Sequence, residues 1–350
     1  MSRIRLHPSG REVECPSGDT VLSALEKAGY ALPNNCRAGA CGECKVKVVS
    51  GQFDQGMVLD MALSQAERKD GYGLMCMAKP ISEELVIEWG TADAKPKLFP
   101  PRENVSFIVA DRIMRTPRIV ELHLRPLGQP LRFWPGQYVM LGNEREEAPP
   151  RCYSIANAPR ADGEIVLQVT RQEGGPTSTW IHDKLKLGEL VQLSGPYGTF
   201  IGDPSVETPV LCMAAGTGLA PILALAEAAL KRGYKQPVTV LFSGRTGEDV
   251  YARGQMAYWQ AKHRRFEFKT TLTRDDAAPL KGRIPAVLPT LFKDLSEHSV
   301  FVAGSPEFVE DCVKAAKALG AKDELIHTEG YFSQQQPEYP DADRVSVTGH

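Results

Sequence analysis

Four cysteines constrain this chain more than any other feature. Three lie together in Cys36-Arg37-Ala38-Gly39-Ala40-Cys41-Gly42-Glu43-Cys44, and the fourth is the distant Cys76. The spacing C-x4-C-x2-C with a remote fourth Cys is that of plant-type 2Fe-2S clusters, in which four thiolates hold two irons. Gly39 and Gly42 permit the positive φ angles and the close backbone approach that such a loop needs. The sequence therefore predicts a 2Fe-2S cluster and the handling of single electrons.

Other uses of these cysteines fit the spacing less well. Structural zinc sites usually consist of two C-x2-C pairs, whereas only Cys41 and Cys44 are so spaced. A Rieske centre requires two His ligands, and the chain has no Cys-x-His pair. The remaining cysteines lie scattered in apolar stretches, as buried small hydrophobes in a reducing compartment would: Cys15, Cys152, Cys212 and Cys312. Zinc and disulfides stay open as alternatives to the cluster.

Length and charge narrow the functional class. A chain of 350 residues with 42% hydrophobic residues suggests about two to three domains. The net charge of −2 offers no basic field, so we expect no nucleic-acid partner. An uncharged run over Pro209–Ala226 has the length of a membrane span, but Gly216, Gly218 and Pro221 divide it into strand, turn and helix. We expect a cytoplasmic protein without a membrane segment.

Patterning along the chain predicts three domains. The expected divisions are residues 1–92, a linker over 93–103, 104–203, 204–335 and a weakly ordered tail over 336–350. In the first domain we expect strands near 3–7, 11–15, 45–49 and 85–89, and a helix over 20–28 with Asp19 as its N-cap. The second shows short strands near 106–109, 119–124, 137–141, 165–170 and 190–194, with one helix over 178–187. The third alternates strands near 210–214, 238–242, 266–273 and 300–303 with helices, as parallel α/β sheets do.

The second domain carries two motifs suited to a flavin nucleotide. Arg151, Tyr153 and Ser154 share one short strand, where a cation, an aromatic ring and a hydroxyl could meet a phosphate, a flavin ring and its polar edge. Gly174-Gly175-Pro176-Thr177-Ser178-Thr179 opens the only predicted helix of this domain and offers N–H groups and hydroxyls to a phosphate. Either motif alone is weak, since a plain strand and a plain helix start would look the same.

The third domain begins with a nucleotide-binding pattern. A buried strand runs into Gly216-Thr217-Gly218 and then into a helix, which is what a pyrophosphate on a helix N-terminus requires. Pro221 occupies the third glycine position of the strict G-x-G-x-x-G fingerprint, and close helix–strand packing without a ligand would favour the same small residues. This signal is therefore moderate by itself.

The motifs in this order resemble the ferredoxin-NADP reductase superfamily over about residues 1–335. More narrowly, the chain resembles reductase components of bacterial multicomponent oxygenases that carry an N-terminal plant-type 2Fe-2S ferredoxin domain. The resemblance implies a multidomain α+β and α/β fold: a β-grasp ferredoxin domain, a six-stranded antiparallel β-barrel that binds FAD, and a Rossmann-like parallel α/β domain that binds NADH. Two departures are Ala303, where many relatives have a cysteine, and the tail, which continues well past Tyr331.

The resemblance also assigns roles to individual residues. It implies catalytic roles beside the flavin for Ser154 and for Glu329, an acidic residue near the C-terminus. Cofactor-binding residues implied by the family's motifs are Arg151, Tyr153, Ser154, Gly175, Thr177, Ser178, Gly216, Thr217, Gly218, Arg245, Thr273, Arg274, Gly304, Pro306 and Tyr331. The cluster ligands are Cys36, Cys41, Cys44 and Cys76.

The predicted function is that of an NADH-dependent reductase, in which electrons pass from NADH through FAD and the 2Fe-2S cluster. A nicotinamide donates two electrons as a hydride and a cluster accepts one at a time, and a flavin connects the two. We expect the acceptor to be an oxygenase component or a separate ferredoxin. Two alternatives stay open: an iron–sulfur flavoprotein that senses redox state and binds a partner, and a reductase for a deoxysugar dehydrase. For the donor, Glu248 and Asp249 follow Arg245 closely and would repel the 2′-phosphate of NADPH, which favours NADH.

Overall fold

The computed structural model describes residues 1–203 and 205–331, and within them three main sheets follow one another along the chain. Each sheet has apolar residues of its own with no exposed surface, such as Leu85 in the first, Phe107 in the second and Leu211 in the third. The predicted tail lies outside the described residues. In the described part of the chain, no helix combines the length and the apolar character that crossing a membrane would require.

The first sheet has five strands in the order β2-β1-β7-β3-β5 and confirms the predicted β-grasp. Strands β1 and β7 pair in parallel, with Ile4 opposite Leu85, and the other neighbours are antiparallel. Its elements are β1 (Ser2–His7), β2 (Glu12–Cys15), α1 (Val21–Lys27), β3 (Lys45–Ser50), α2 (Gln65–Lys69), β5 (Tyr72–Leu74) and β7 (Glu84–Glu88). A short pair, β4 (Phe53–Asp54) and β6 (Lys79–Pro80), lies beside it.

The predicted N-cap of α1 is wrong by one residue. Thr20 has the extended backbone of an N-cap, and its hydroxyl accepts a hydrogen bond from Ser23 N at 3.2 Å. Asp19 instead accepts from Lys27 Nζ at 2.8 Å across the outside of the helix. Thr and Asp are both good caps, so composition alone does not decide between adjacent candidates.

The second sheet has six antiparallel strands in the order β11-β10-β13-β8-β9-β12, as predicted for the flavin domain. A bridge between Ile155 and Leu167 links its two ends and curls it toward a barrel. The elements are β8 (Arg102–Thr116), β9 (Ile119–Pro126), β10 (Tyr138–Asn143), β11 (Ala148–Ser154), β12 (Ile165–Thr170), α3 (Pro176–Asp183) and β13 (Leu190–Tyr197). Helix α3 begins two residues before its predicted start because Pro176, which suits a first helical position, opens it.

The third sheet is fully parallel, with five strands in the order β16-β15-β14-β17-β18. The elements are β14 (Val210–Ala215), α4 (Leu219–Lys231), β15 (Val238–Gly244), α5 (Arg253–Lys262), β16 (Phe266–Leu272), α6 (Ile284–Leu291), β17 (Ser299–Gly304), α7 (Pro306–Ala318) and β18 (Ile326–Gly330). The strand order reverses between β14 and β17, and ligands of such sheets bind at the carboxyl ends of the strands at that point. The uncharged run is divided as predicted, since β14 ends at Ala215 and α4 begins at Leu219.

Candidate electron-transfer site

The cysteine loop, between α1 and β3, has the tight backbone that a cluster needs. Gly39 and Gly42 have φ angles of +69° and +79°. A Cβ atom at Gly39 would lie 2.9 Å from the Met57 carbonyl oxygen, so no larger residue fits there without a shift. The Leu59 N–H donates to the Gly39 carbonyl at 3.0 Å and fastens residues near 57–62 against the loop.

The four thiols form two pairs, Cys36 with Cys41 and Cys44 with Cys76. Three backbone N–H groups, of Ala38, Ala40 and Cys41, point at Cys36 Sγ from 3.3–3.4 Å. The Cys41 thiol, with these N–H groups, lowers the pKa of Cys36 to about 5. The N–H of Cys76 likewise lies 3.4 Å from Cys44 Sγ. A thiolate is therefore already stabilised in this loop before any metal is considered.

This donor set fits a two-iron cluster. In residues 1–203 and 205–331, no three His, Cys, Asp or Glu side chains surround one metal-ion position. Two thiolates for each of two irons is the arrangement that a plant-type cluster takes. The N–H groups aimed at sulfur are also what tunes the potential of such a cluster.

The two flavin motifs meet at β11, which is an edge strand of the second sheet. Thr177, in the first turn of α3, donates its hydroxyl proton to the Pro149 carbonyl at 2.5 Å. Its neighbour Ser178 accepts from Gln172 N at 3.1 Å and donates to the Gly175 carbonyl at 3.1 Å. These bonds hold the helix start beside half-buried Arg151, whose guanidinium contacts only the Pro150 carbonyl among the bonds described. A cation and a helix N-terminus thus lie on one edge, as a diphosphate requires.

The ring-binding side of β11 is built differently from its phosphate side. Tyr153 packs against the barrel core, and burial raises the pKa of its hydroxyl. Ser154, the last residue of the strand, donates its hydroxyl proton to Glu329 Oε1 at 2.9 Å. The hydroxyl of Tyr331 lies 3.2 Å from Ser154 Oγ and donates to the Thr217 carbonyl at 3.3 Å. The sequence-predicted residues Ser154, Glu329 and Tyr331 therefore come together from two different domains.

Glu329 is the most unusual polar group of this site. It is buried, and its Oε2 has no hydrogen-bond partner in the described part of the chain. Burial raises the pKa of Glu329 to about 8, despite the opposing effect of the Ser154 hydroxyl. Buried polar atoms are almost always paired, so an unpartnered carboxyl oxygen here fits a bound polar group, such as the edge of a flavin or a nicotinamide.

The nucleotide motif lies where the strand order reverses. Gly216–Gly218 form one short turn of 3-10 helix between β14 and α4. A Cβ atom at Gly218 would lie 2.1 Å from the Ala303 carbonyl oxygen, so only glycine allows this turn to pack on β17. Gly304 ends β17 and Pro306 begins α7 on the other side of the turn.

A cavity of about 500 Å³ opens beside this turn. Of the predicted nucleotide residues, Gly216, Arg245 and Thr273 line it. Arg274 is not among the residues that line the cavity, but its backbone N–H donates to the Arg245 carbonyl at 2.8 Å. Ser305, from the predicted Gly304-Ser305-Pro306 segment, lines the cavity as well. The cavity is also lined by Arg118 and Arg283, which sequence reasoning missed because no local motif marks them. The cleft has a suitable size for part of a dinucleotide, and its lining includes both these arginines and the carboxylates of Asp249, Glu307 and Asp311.

Tyr251 was also missed, although it connects two domains. Its buried hydroxyl lies 2.9 Å from Gln168 Oε1 on β12 and 3.0 Å from the Gly216 carbonyl. Gln168 in turn donates to Glu121 at 2.9 Å. Arg115 and His123 also hold the Glu121 carboxylate, and the pKa of Glu121 falls to about 2 despite its burial. An ionised carboxylate of the barrel thus supports the nucleotide turn through two side chains.

The cysteine loop contacts the rest of the molecule through residues that carry no recognisable motif. Tyr138 of the barrel donates to Asn34 Oδ1 at 2.9 Å. Asn35 donates its amide proton to the Gly330 carbonyl. Arg37 forms an ion pair with buried Glu26 at 2.6 Å, and its guanidinium lies 4.2 Å from the ring centre of Tyr197. The predicted cluster loop therefore faces the strand that carries Glu329.

Comparison with known families gives each sheet a counterpart. Residues 4–80 match the 2Fe-2S iron-sulfur cluster binding domain, residues 105–201 the oxidoreductase FAD-binding domain, and residues 212–314 the oxidoreductase NAD-binding domain. The fold and these matches define an iron–sulfur flavoprotein oxidoreductase with three cofactors: a 2Fe-2S cluster, FAD and NADH.

Similar proteins narrow this class. The chain is 34% identical over 331 residues to the reductase subunit of an aromatic O-demethylase from Amycolatopsis sp., covering 92% of this chain and 96% of that one. It is 34% identical over 277 residues to the reductase component of phenol 2-monooxygenase from Pseudomonas sp., covering 79% and 77%. The crystal structure of the Amycolatopsis cytochrome P450 reductase GcoB superposes with a TM-score of 0.84 at 31% identity, covering 94% and 98%. The chain belongs to the family of ferredoxin-domain-containing oxidoreductases that serve as reductase components of oxygenase systems.

Proposed function

We propose that this chain accepts a hydride from NADH and delivers single electrons, through FAD and its own 2Fe-2S cluster, to the oxygenase component of a system that oxidises aromatic compounds. The observation that carries the proposal is the contact between the cysteine loop and β18, the strand that carries Glu329 to Ser154. Asn35 adjoins Cys36 and bonds to Gly330, whose neighbours Glu329 and Tyr331 meet Ser154. One continuous set of contacts therefore supports a path from the proposed site of hydride acceptance to the proposed cluster site.

Each of the three cofactors has its own proposed set of binding residues. FAD, when bound, supplies the chemistry that connects a two-electron donor to one-electron acceptors. Its phosphates would be held by Arg151, Gly175, Thr177 and Ser178, and its ring by Tyr153, Ser154 and Tyr331. The dinucleotide would be held by Gly216, Thr217, Gly218, Arg245, Thr273, Arg274, Gly304 and Pro306. The two irons would be held by Cys36 with Cys41 and by Cys44 with Cys76.

Ser154 and Glu329 would together present a hydrogen-bond donor to the bound ring. Since the pKa of Glu329 is about 8, its carboxyl group is mostly protonated at pH 7. Ser154 donates to Oε1, which leaves the carboxyl proton on Oε2, the oxygen without a partner in the described residues. That O–H would donate to a hydrogen-bond acceptor of the bound ring and orient it for hydride transfer.

The proposed acceptor is an oxygenase because several similar proteins are named as reductase components of oxygenases. Their names include an aromatic O-demethylase, a phenol monooxygenase and terephthalate dioxygenases. A reductase that served a separate ferredoxin, a deoxysugar dehydrase or a regulatory partner would need the same three cofactors, so the cofactors alone do not identify the acceptor. Rapid, repeated oxidation of NADH with an oxygenase as acceptor would exclude the alternative function as a redox sensor. The cofactors of a sensor need to change redox state only once per signal. We also propose a cytoplasmic location, which cell fractionation would test.

The test separates the flavin from the cluster. In Cys41→Ser, electron delivery from NADH to cytochrome c, a one-electron protein acceptor, should fall to background because one iron loses a ligand. Reduction of ferricyanide by the flavin should persist. Cys15→Ser is the matched control, since Cys15 lies in the same sheet outside the loop and should leave two irons per chain. Equal loss of both activities in Cys41→Ser would contradict the separable relay.

A second arm addresses the acceptor. The holoenzyme is mixed with NADH and, in turn, a purified aromatic-ring oxygenase, a plant-type ferredoxin and a deoxysugar dehydrase. Faster reduction of the oxygenase than of the other two acceptors supports the proposal. Preferential reduction of the dehydrase would assign the chain to that alternative.

A further inference from the structure

Gly330 lies where all three domains meet. Its carbonyl accepts the amide proton of Asn35 from the first domain. On one side, Glu329 reaches Ser154 of the second domain, and on the other the Tyr331 N–H donates to the Gly304 carbonyl at 2.8 Å. This one strand end therefore contacts the cysteine loop, carries the side chain that meets Ser154, and bonds to the end of β17.

Asn35 is suited to connect this strand end to the cysteine loop. It directly precedes Cys36, whose sulfur receives three backbone N–H groups from the same loop. Its own carbonyl lies 3.5 Å from the Tyr138 hydroxyl, so the residue is fixed to the barrel at one end and to β18 at the other. The amide side chain is neutral, and its replacement by an apolar residue leaves the net charge beside the sulfurs unchanged.

We propose that Asn35 is a positioning residue for electron transfer from the flavin to the cluster. Through its bond to Gly330, it keeps the cysteine loop docked on the strand that carries Glu329 and Tyr331 to Ser154. This inference rests on the proposed function and goes beyond it, because no motif assigns Asn35 a role. Electron transfer depends on separation, so a loop that is docked for less of the time receives electrons more slowly.

The test compares Asn35→Leu, which has the same number and branching of side-chain heavy atoms but no hydrogen-bond donor, with Asn35→Gln, which retains an amide. NADH is mixed with each holoenzyme in a stopped-flow instrument, and bleaching of the flavin and of the cluster is followed separately. In Asn35→Leu, the rate constant for cluster reduction should fall about fivefold to tenfold, the factor by which loss of one hydrogen bond shifts a docking equilibrium. The rate constant for flavin reduction should stay unchanged, and Asn35→Gln should recover part of the loss. Gln65→Leu, an exposed change on α2, is the matched control.

Further measurements separate a positioning role of Asn35 from other causes of slower cluster reduction. The cluster potential, measured by redox titration, should be the same in wild type and Asn35→Leu; a lower potential large enough to explain the slower rate would overturn the positioning role. An unchanged rate of cluster reduction would overturn it too. If Asn35→Leu assembles no cluster, hydrogen exchange of residues 326–331 still reports docking, and unaltered protection there would refute the proposal. Failure of wild type itself to reduce its cluster with NADH would instead refute the proposed function.

Discussion

Glu329 is a carboxyl group in surroundings that disfavour its charge. Burial raises its pKa from the ordinary 4.5 to about 8, so between these pH values the folded chain holds a proton that the unfolded chain releases. By linkage, the stability that this group contributes is full below pH 4.5 and is lost as the pH rises to about 8. The neutral form is the one that the fold accommodates.

This pKa gives a prediction for Glu329→Gln in flavin-depleted protein. The apparent Tm of wild type should fall more steeply between pH 5 and pH 8 than that of the variant, because glutamine has no proton to lose. Thermal unfolding at several pH values measures the difference between the two slopes. Glu324→Gln, a change at an exposed carboxyl group, should retain the wild-type slope. Parallel profiles for Glu329→Gln and wild type would show that Glu329 is already ionised.

Local motifs explain why many residues could be assigned from the sequence. The cluster ligands, Arg151 with Ser154, and the Gly216–Gly218 turn each act within a few residues of one another, so their spacing is visible in the chain. Asn35 and Gly330 are 295 residues apart, and Tyr251 and Gln168 are 83 residues apart. Such pairs have no local spacing to recognise, since only the packing of complete domains brings them together.

At the scale of elements, the turn between β14 and α4 depends on a side chain from outside its own motif. The single proton of the Tyr251 hydroxyl serves both Gln168 and the Gly216 carbonyl. In Tyr251→Phe, we expect the KM for NADH to rise about fivefold, because the turn loses one hydrogen bond that orders it before the nucleotide binds. The kcat should change little. Steady-state kinetics with ferricyanide measures both values.

A neighbouring tyrosine supplies the control for this prediction. Tyr258 lies on α5 with 59% of its surface exposed, and Tyr258→Phe should leave the KM unchanged. An unchanged KM in Tyr251→Phe would mean that the turn is held by its packing against Ala303 alone.

We expect the end of β15 to influence the choice of nucleotide. The Asp249 carboxylate accepts from the backbone N–H groups of Arg245 and Thr246, at 2.8 and 3.1 Å, and lies 3.6 Å from the Arg245 guanidinium. Asp249 therefore occupies Arg245 and opposes a 2′-phosphate, which favours NADH. In Asp249→Asn, we expect kcat/KM for NADPH to rise roughly fivefold, with that for NADH little changed.

Arg245→Ala tests whether the Arg245 guanidinium causes the predicted gain in kcat/KM for NADPH. Added to Asp249→Asn, it should cancel the gain with NADPH, because the cation that would bind the phosphate is gone. A wild-type preference for NADPH that disappears in Arg245→Ala alone would reverse the assignment of the donor.

At the scale of the whole molecule, a buried ion pair of the first domain packs against the second domain. Glu26 is 3% exposed and pairs with Arg37, which covers the Tyr197 ring. Arg37→Met leaves this carboxylate without its cation, and we expect a loss of about 3 kcal/mol in the stability of the first domain. Denaturant unfolding, followed by the visible absorption of the cluster, measures it.

A double variant separates charge from packing in this prediction. Glu26→Gln combined with Arg37→Met should recover part of the loss, because no charge is then left buried. If the double variant is as unstable as the single one, the contribution of Arg37 comes from its packing on Tyr197.

The segment joining the first two domains is itself packed. Phe99 stacks on Trp134 with ring centres 5.5 Å apart, and Trp134 Nε1 donates to the Lys97 carbonyl at 3.0 Å. The linker predicted over 93–103 thus gives the first domain little freedom to turn, although its bounds stay a prediction. This attachment and the contact of Arg37 with the Tyr197 ring act on the same interface.

The shared carbonyl of Gly330 limits how such reductases can be recombined. A chimera that replaces residues 1–92 by the ferredoxin domain of another reductase can contribute four correctly spaced cysteines and still lack an amide at position 35 or an acceptor at position 34 for Tyr138. Grafts should therefore be chosen by the two residues preceding the first cysteine as well as by cluster type. Domain exchange in this architecture becomes a matter of matching two adjacent side chains to two distant strands, one 104 residues away and the other 295 residues away.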